Sequence, residues 1–371
     1  MTHAPSPSPS LCTSASQSTT SAPPTYQHAP TNGTVPPPTN ELINTTRLSD
    51  PGSFLIRVPA SAANIGPGFD ALGLALSLHL SLHIVPSHTT TITYTGSCPI
   101  SLHPAENLIT TTASYIASIH GTVLPPLHIT VTNPIPLGRG MGSSGAAVVA
   151  GCMLANHACK LGLSKHRLMD YALVVEGHPD NVAASMFGGF TAGYMTNDRD
   201  SATPLNLGTY ISIPWPSTLK AVLVIPSFEL PTKLARSVLP LHYSRADVVF
   251  NLQRLAVLIT TLSRYSSSTD PNVVYEAMKD TIHQPYRSHL VPGLTRILQE
   301  LNPDTCPGLL GICMSGAGPC VLAITNDNHK QVGERIQSIW NSTTAPDIDK
   351  GIESEAVVLD VEPEGAVVLK L

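Results

Sequence analysis

Apolar residues recur at two distinct periods along the chain. Leu72, Leu74, Leu76, Leu78, Leu80, Leu82 and Ile84 occupy alternate positions, with Gly, Ala, Ser and His between them. Such a period of two predicts a strand with one face against a core. It puts His79 and His83 on the other face, as solvent-facing strand residues rather than ligands. Phe54–Val58 and Leu127–Val131 read as further strands. Helical spacing appears in Ala105–His120 through Leu108, Ile109, Ile116 and Ile119, and in an Ala/Val-rich run ending near Leu161. It appears again at Leu168, Tyr171, Ala172 and Val175, with Ser164 placed to cap that helix.

Past residue 212 the pattern is interrupted. The prolines of Ile213-Pro-Trp-Pro216 break both ladder and helix patterns. A new strand is expected at Ala221–Ile225, then mostly helices to about residue 302. Strands at Leu309–Met314 and Val321–Thr325, a helix at Lys330–Trp340 and terminal strands complete the chain. Strands, then a helical stretch, then strands again predict α+β domains rather than one doubly wound sheet. The expected division is 51–215 and 216–371. Residues 1–50 stand apart, being rich in Ser, Thr and Pro with no Lys or Arg before Arg47. A segment of that composition cannot bury a core and is expected to be a disordered tail. It has neither an apolar signal core nor the arginines of a mitochondrial transit helix.

Composition narrows the function classes. Of the 371 residues, 42% are apolar and 12% charged, with a net charge of −5. No basic patch for nucleic acid is implied, and no apolar run long enough for a membrane span occurs. The seven cysteines form no Cys-x-x-Cys pair. Cys306, Cys313 and Cys320 recur every seven residues, a spacing that does not fit a zinc site. They read as buried, reduced thiols of a cytoplasmic protein.

The chemistry concentrates in a glycine-serine loop, Pro136-Leu137-Gly138-Arg139-Gly140-Met141-Gly142-Ser143-Ser144-Gly145-Ala146-Ala147, between a strand and an apolar helix. Glycines let the backbone fold tightly and bring N–H groups close to a phosphate. The following helix adds unpaired N–H groups and its positive dipole end. Ser143 and Ser144 offer hydroxyls to a phosphate oxygen or to Mg²⁺. A Walker A loop would need Gly-Lys-Ser/Thr, and no lysine is present. A dinucleotide fingerprint would need glycine at Ser143, and a lipase elbow would need glycine at Ala146. A flexible glycine turn is the remaining alternative from the loop alone.

The loop resembles the second motif of the galactokinase/homoserine kinase/mevalonate kinase (GHMP) family, with Met141 where that motif has leucine. Val58-Pro-Ala-Ser-Ala-Ala-Asn64-Ile-Gly-Pro-Gly-Phe-Asp70-Ala-Leu-Gly73 is similar to the first motif, and Met314-Ser315-Gly316-Ala317-Gly318-Pro319 to the third. The similarity runs from about residue 53 to the end. It implies a two-domain α+β GHMP kinase fold, with a ribosomal protein S5 domain 2-like N-terminal part and a ferredoxin-like C-terminal part. It also implies ATP bound by Pro136–Ala146 with Ser315, Gly316 and Gly318. His178-Pro-Asp180-Asn181-Val-Ala, Pro231-Thr232-Lys-Leu-Ala-Arg236 and Gln284-Pro-Tyr-Arg287 resemble the homoserine kinase branch. Phosphoryl transfer from ATP to the hydroxyl of L-homoserine, in threonine synthesis, is the implied activity. A family kinase for mevalonate-like or sugar substrates and a non-catalytic sensor remain the alternatives.

Within that resemblance, Asn64, Asp70, His178, Thr232, Arg236 and Arg287 line the substrate pocket. The arginines suit the carboxylate; Asp70 and Asn64 suit the ammonium group. Mg²⁺ is implied on Ser144 and Glu176. Relatives separate that glutamate from the histidine by several residues, whereas here only Gly177 stands between Glu176 and His178. Several family members carry aspartate where this chain has Asn181. Asn181 cannot remove a proton, so it is expected to orient the hydroxyl, with Asp180 as a second candidate and Arg236 alongside. Family members are often dimers, which allows a homodimer, but no interface is legible in the residues.

Overall fold

The structure is a computed structural model that describes residues 52–95, 100–196, 205–344 and 350–371. The tail expected at residues 1–50 lies outside them. The chain opens with β1 (Phe54–Ala63), β2 (Leu72–Pro86) and β3 (Thr91–Thr95), then α1 (Leu108–Ile119), β4 (Leu127–Thr132), α2 (Ser143–Ala158), α3 (Lys165–Glu176) and α4 (Asp180–Phe187). The pair β5 (Phe190–Met195) and β6 (Gly208–Ile213) follows. The predicted helix over Ala105–His120 begins at Leu108 because Asn107 caps it, accepting the Ile109 N–H at 3.1 Å. Ser164 caps α3 in the same way, accepting from Arg167 N–H.

β1 and β2 pair antiparallel, from Phe54 opposite Ile84 to Ala63 opposite Gly73, with a register shift at Pro59/Ala60. That shift falls where the leucine alternation weakens: Leu78 is half-buried while Leu72, Leu74, Leu76, Leu80 and Leu82 are buried. His79 Nε2 lies 2.9 Å from Glu362 Oε2, and His83 faces solvent. The first half of β2 departs from a one-faced strand. Gly73 and Ala75 are buried too, because α4 lies over that face; a Cβ at Gly73 would collide with the Asp180 carbonyl.

The second half supplies β7 (Lys220–Pro226), the helices α5 (Thr232–Ser237), α6 (Arg245–Ser263), α7 (Pro271–Ala277), α8 (Gln284–Arg287) and α9 (Leu294–Glu300), then β8 (Leu309–Met314) and β9 (Val321–Thr325). α10 (His329–Asn341), β10 (Ser354–Leu359) and β11 (Val367–Lys370) end it. β10, β7, β9 and β8 form a four-stranded antiparallel sheet in that order, the fourth-first-third-second arrangement of a ferredoxin-like unit. α10 buries Val332, Ile336, Ile339 and Trp340, and the Trp340 indole N–H donates to the Pro292 carbonyl at 3.1 Å.

The larger, seven-stranded sheet runs β11-β1-β2-β4-β3, with β5 on β2 and β6 on β5. β11 lies in this first sheet, opposite β1, so the end of the chain leaves the 216–371 unit expected from the prolines. Leu223, Ile225, Leu310, Cys313, Leu322 and Ile324 of the second sheet share one apolar cluster with β1, β2 and α2. Each fully buried leucine in it contributes about 1.5–3 kcal/mol. Cys306, Cys313 and Cys320 are all buried free thiols. Among the described residues no helix is long and apolar enough to cross a membrane.

Candidate active site

The glycine-serine loop joins β4 to α2. Gly138, Gly140 and Gly142 have φ of 61°, 74° and 69°, the left-handed region that favours glycine. Space demands glycine as well. A Cβ at Gly140 would strike the Ser315 carbonyl, and one at Gly142 would strike Ser61 Oγ. Gly142 caps α2 without a side-chain hydrogen bond, so the amides of the first helical turn keep the unsatisfied N–H groups of any helix start. Met141 is buried and anchors the loop in the core, its carbonyl accepting the Ser61 N–H at 3.2 Å. The Arg139 guanidinium is turned away from the loop mouth, donating to the Pro226 and Ser227 carbonyls at 3.0 and 2.8 Å. It fastens the loop to the end of β7.

The third motif buttresses this loop. Ser315 is fully buried and its hydroxyl donates to the Gly140 carbonyl at 2.6 Å. Cys320 N–H donates to the Arg139 carbonyl, and Gly316 N–H to Ala63 in β1. The Gly316 carbonyl accepts from Asn64 Nδ2 at 2.8 Å and from Arg287 at 3.3 Å. The turn therefore braces both the glycine-serine loop and the Asn64–Arg287 side.

At the start of α2, Ser144 Oγ donates to Glu176 Oε1 at 2.6 Å. Gly177 makes this meeting possible: with φ 79° it caps α3 left-handed and turns the chain straight into the His178 segment. His178 Nδ1 donates to Asp180 Oδ1 at 2.6 Å, and its Nε2 lies 3.8 Å from Glu176 Oε2. Burial alone would lower the His178 pKa; the charge and hydrogen bond of Asp180, then Glu176 and Asp70, carry it up to about 9. Asp180 is 2% exposed. Burial pushes its carboxyl up, but His178, the Asn181 N–H at 2.7 Å and Arg236 bring it below its usual range. Among the described residues, Asp70, His178 and Asp180 form a cluster of metal-ligating types. The imidazolium and the nearby Arg236 already balance its two carboxylates.

The side expected to receive the substrate is built on the turn between β1 and β2. Asn64, Ile65 and Asp70 all have positive φ, at 71°, 45° and 54°. For a β-branched residue such as Ile65 this is strained backbone of the kind held at functional sites. Asn64 spends both amide atoms on it: Oδ1 accepts the Asp70 N–H at 3.0 Å while Nδ2 holds Gly316. Asp70 takes Arg236 in a two-point pair, at 2.7 and 3.0 Å. Arg287 is 1% exposed. It donates Nε–H to the Ala235 carbonyl at 3.0 Å. Burial and the charge of Arg236 lower its pKa to about 10, so it remains a cation at neutral pH. Thr232 opens α5 one turn before Arg236 and is exposed.

The geometry also recruits residues that the motifs did not single out. The Phe69 ring lies close to both guanidinium groups, its centroid 5.7 Å from the guanidinium carbon of Arg236 and 5.2 Å from that of Arg287. His283 stacks on the same ring at 5.3 Å and holds the Gly66 carbonyl. Below them Asp280 accepts from Asn251 Nδ2 and from the N–H groups of Ile282, His283 and Gln284. The visible signal for this layer is the Gly-Phe-Asp step of the first motif. Nothing local marks Asp280 or Asn251.

Family models for the GHMP kinases N terminal domain and the GHMP kinases C terminal match residues 107–189 and 266–344. Homoserine kinase of Schizosaccharomyces pombe is 46% identical over 341 residues, covering 85% of this chain and 98% of that protein. Homoserine kinase of Candida albicans is 40% identical over 358 residues, with the same coverages of 85% and 98%. The crystal structure of homoserine kinase from Cytophaga hutchinsonii superposes with a TM-score of 0.70 at 24% identity, over 89% of this chain and all of that one. The chain belongs to the GHMP kinase family.

Proposed function

We propose that this chain is a homoserine kinase, moving the γ-phosphoryl group of ATP to the side-chain hydroxyl of L-homoserine to give O-phospho-L-homoserine. The observation that carries the substrate assignment is the Asp70–Arg236 pair beside Arg287 and Phe69. A zwitterionic amino acid offers an ammonium group to Asp70 and a carboxylate to Arg236 and Arg287. It exchanges one internal ion pair for two new ones, and the guanidinium fork suits a carboxylate. Mevalonate or a neutral sugar lacks the ammonium group and would leave Asp70 or the arginines without a matched partner. The strong similarity to named homoserine kinases supports the same reading.

On the nucleotide side, the left-handed glycines and the start of α2 present backbone N–H groups to the phosphates. Ser144 and Glu176 bring a hydroxyl and a carboxylate oxygen together, a hard oxygen pair that fits Mg²⁺. Bound there, Mg²⁺ would neutralise charge on the β- and γ-phosphates. Transfer then asks mainly for positioning, because the transition state is loose and needs little deprotonation of the nucleophile. Asp180 is a poor general base, since its carboxylate is already held by His178 and the Asn181 N–H. Asn181 sits next to it and orients the acceptor hydroxyl. The hydroxyl oxygen forms the new P–O bond, the bond to ADP breaks with its electron pair, and the hydroxyl proton ends on the transferred phosphate.

An ADP-release assay with homoserine, mevalonate and galactose tests this reading. ADP with homoserine is the expected result. ADP with mevalonate alone would move the chain to another branch of the family, and ADP with none of them would make it a sensor.

A further inference from the structure

We propose that Ser61 is a positioning residue for the transfer, fixing the Asn181 amide so that an Nδ2–H, and not the carbonyl oxygen, faces the reacting oxygen. Ser61 lies in β1 and is fully buried. Its Oγ donates to Asn181 Oδ1 at 2.9 Å and accepts from Ser185 Oγ at 3.4 Å. Ser185 is also fully buried, one turn beyond Asn181 in α4. A hydroxyl has a single proton to give. With the Ser185 proton arriving at Ser61 Oγ, the Ser61 proton goes to Asn181, which must present an acceptor there.

The other end of the amide agrees. Asn181 Nδ2 is 3.4 Å from Asp180 Oδ1. Reversing the amide would set its carbonyl oxygen against that carboxylate and leave the Ser61 proton without its acceptor. Both contacts would be lost in a site where unpaired buried groups are costly. Ser61 therefore holds Oδ1 and Asp180 takes one Nδ2 hydrogen, leaving the second Nδ2 hydrogen for a ligand. A donor there binds a lone pair of the acceptor hydroxyl and aims the oxygen without drawing off its proton.

Ser61 also couples this amide to the phosphate loop. Its backbone N–H holds the Met141 carbonyl, and a Cβ at Gly142 would strike both Ser61 Oγ and Asn181 Oδ1. One residue thus sets the distance between the loop that holds the donor phosphate and the amide that holds the acceptor.

The inference rests on the role given to Asn181 above, and a double-mutant cycle separates the two. Ser61→Ala is expected to lower kcat about tenfold, the worth of one buried hydrogen bond, with little change in KM for ATP or homoserine. In an Asn181→Ala background the same change should have no further effect on kcat. Equal losses in both backgrounds would overturn the positioning role of Ser61. An Asn181→Ala enzyme with parental kcat would instead overturn the role of Asn181 itself, and the proposal with it. Asn181→Asp needs no Ser61 variant to fold: it keeps the shape and the bond from Ser61 but replaces the donor by an acceptor. It should be no more active than Asn181→Ala, and activity at or above the parental level would overturn the proposal.

Discussion

Ser144 Oγ meets Glu176 Oε1 at 2.6 Å, joining the first turn of α2 to the last residue of α3. Sequence alone left this carboxylate in doubt, because a single residue separates it from His178. The left-handed Gly177 resolves the spacing. If the pair holds Mg²⁺, Glu176→Gln removes the charge and keeps the shape. It is expected to weaken the apparent Mg²⁺ affinity about ten- to a hundredfold. A Mg²⁺ titration of the rate at fixed ATP checks this. An unchanged titration would reduce Glu176 to the end of its helix.

Arg236 and Asp70 form a two-point pair, at 2.7 and 3.0 Å. Lysine keeps the charge of arginine but not the fork. Arg236→Lys is therefore expected to raise KM for homoserine about ten- to a hundredfold, the worth of a charged hydrogen bond, while KM for ATP stays put. Steady-state kinetics with each substrate varied in turn makes the measurement. A rise confined to KM for ATP would remove Arg236 from the acceptor site.

Gly142 and Gly177 separate conformation from space. Both have positive φ, at 69° and 79°. Among the described residues nothing lies within 4 Å of a Cβ at Gly177, whereas a Cβ at Gly142 strikes Ser61 and Asn181. Gly177→Ala should cost about 1 kcal/mol of stability, the ordinary left-handed penalty. Gly142→Ala should cost more, roughly 2–4 kcal/mol with overpacking added to strain, and should depress kcat as well. Thermal unfolding and turnover of the two variants decide it. Equal losses would mean that the loop has room the structure does not show.

The parts of the fold legible in the sequence are those with strong periodicity or glycine punctuation. The alternation over Leu72–Ile84 marked β2, and Leu309–Met314 and Val321–Thr325 marked β8 and β9 to the residue. β3, β5 and β6 were not marked. They are short, and their half-exposed residues, such as Thr91–Thr95, show little apolar contrast. The return of β11 to the first sheet is a long-range pairing with β1 that no local pattern encodes. Of the residues the motifs singled out, Asn64, Asp70, His178, Asn181, Arg236 and Arg287 come together in the fold. The supporting layer of Ser61, Ser185, Asn251 and Asp280 went unseen, because a buried Ser or Asp is recognisable only from the partners that folding brings to it. Asn64 was expected to contact an ammonium group; the structure adds that its amide also ties the Asp70 N–H to the Gly316 carbonyl, a structural role its residue type did not announce.

His283 supplies a pH test of that supporting layer. The Gly66 carbonyl can only accept, at 2.8 Å from Nε2, and Arg287 can only donate, at 3.2 Å from Nδ1. These partners specify the neutral imidazole with its hydrogen on Nε2. Full burial lowers the pKa from the ordinary 6.5; Asp280 opposes this, and the charge of Arg287 adds to it. The sign follows. Above about pH 6.5 the ring is neutral folded or unfolded and costs nothing. As pH falls through 6.5 the unfolded chain gains a proton that the native ring refuses, so stability declines. His79, His120 and His157 also have lowered values and contribute in the same direction, which makes a difference measurement necessary. His283→Gln keeps a side-chain donor and acceptor but cannot titrate. Its Tm should fall less steeply between about pH 6.5 and 5 than that of the parent, even if it is lower at pH 8. Parallel Tm profiles for the two proteins would show that this histidine does not hold the Gly66 turn in the neutral form its partners require.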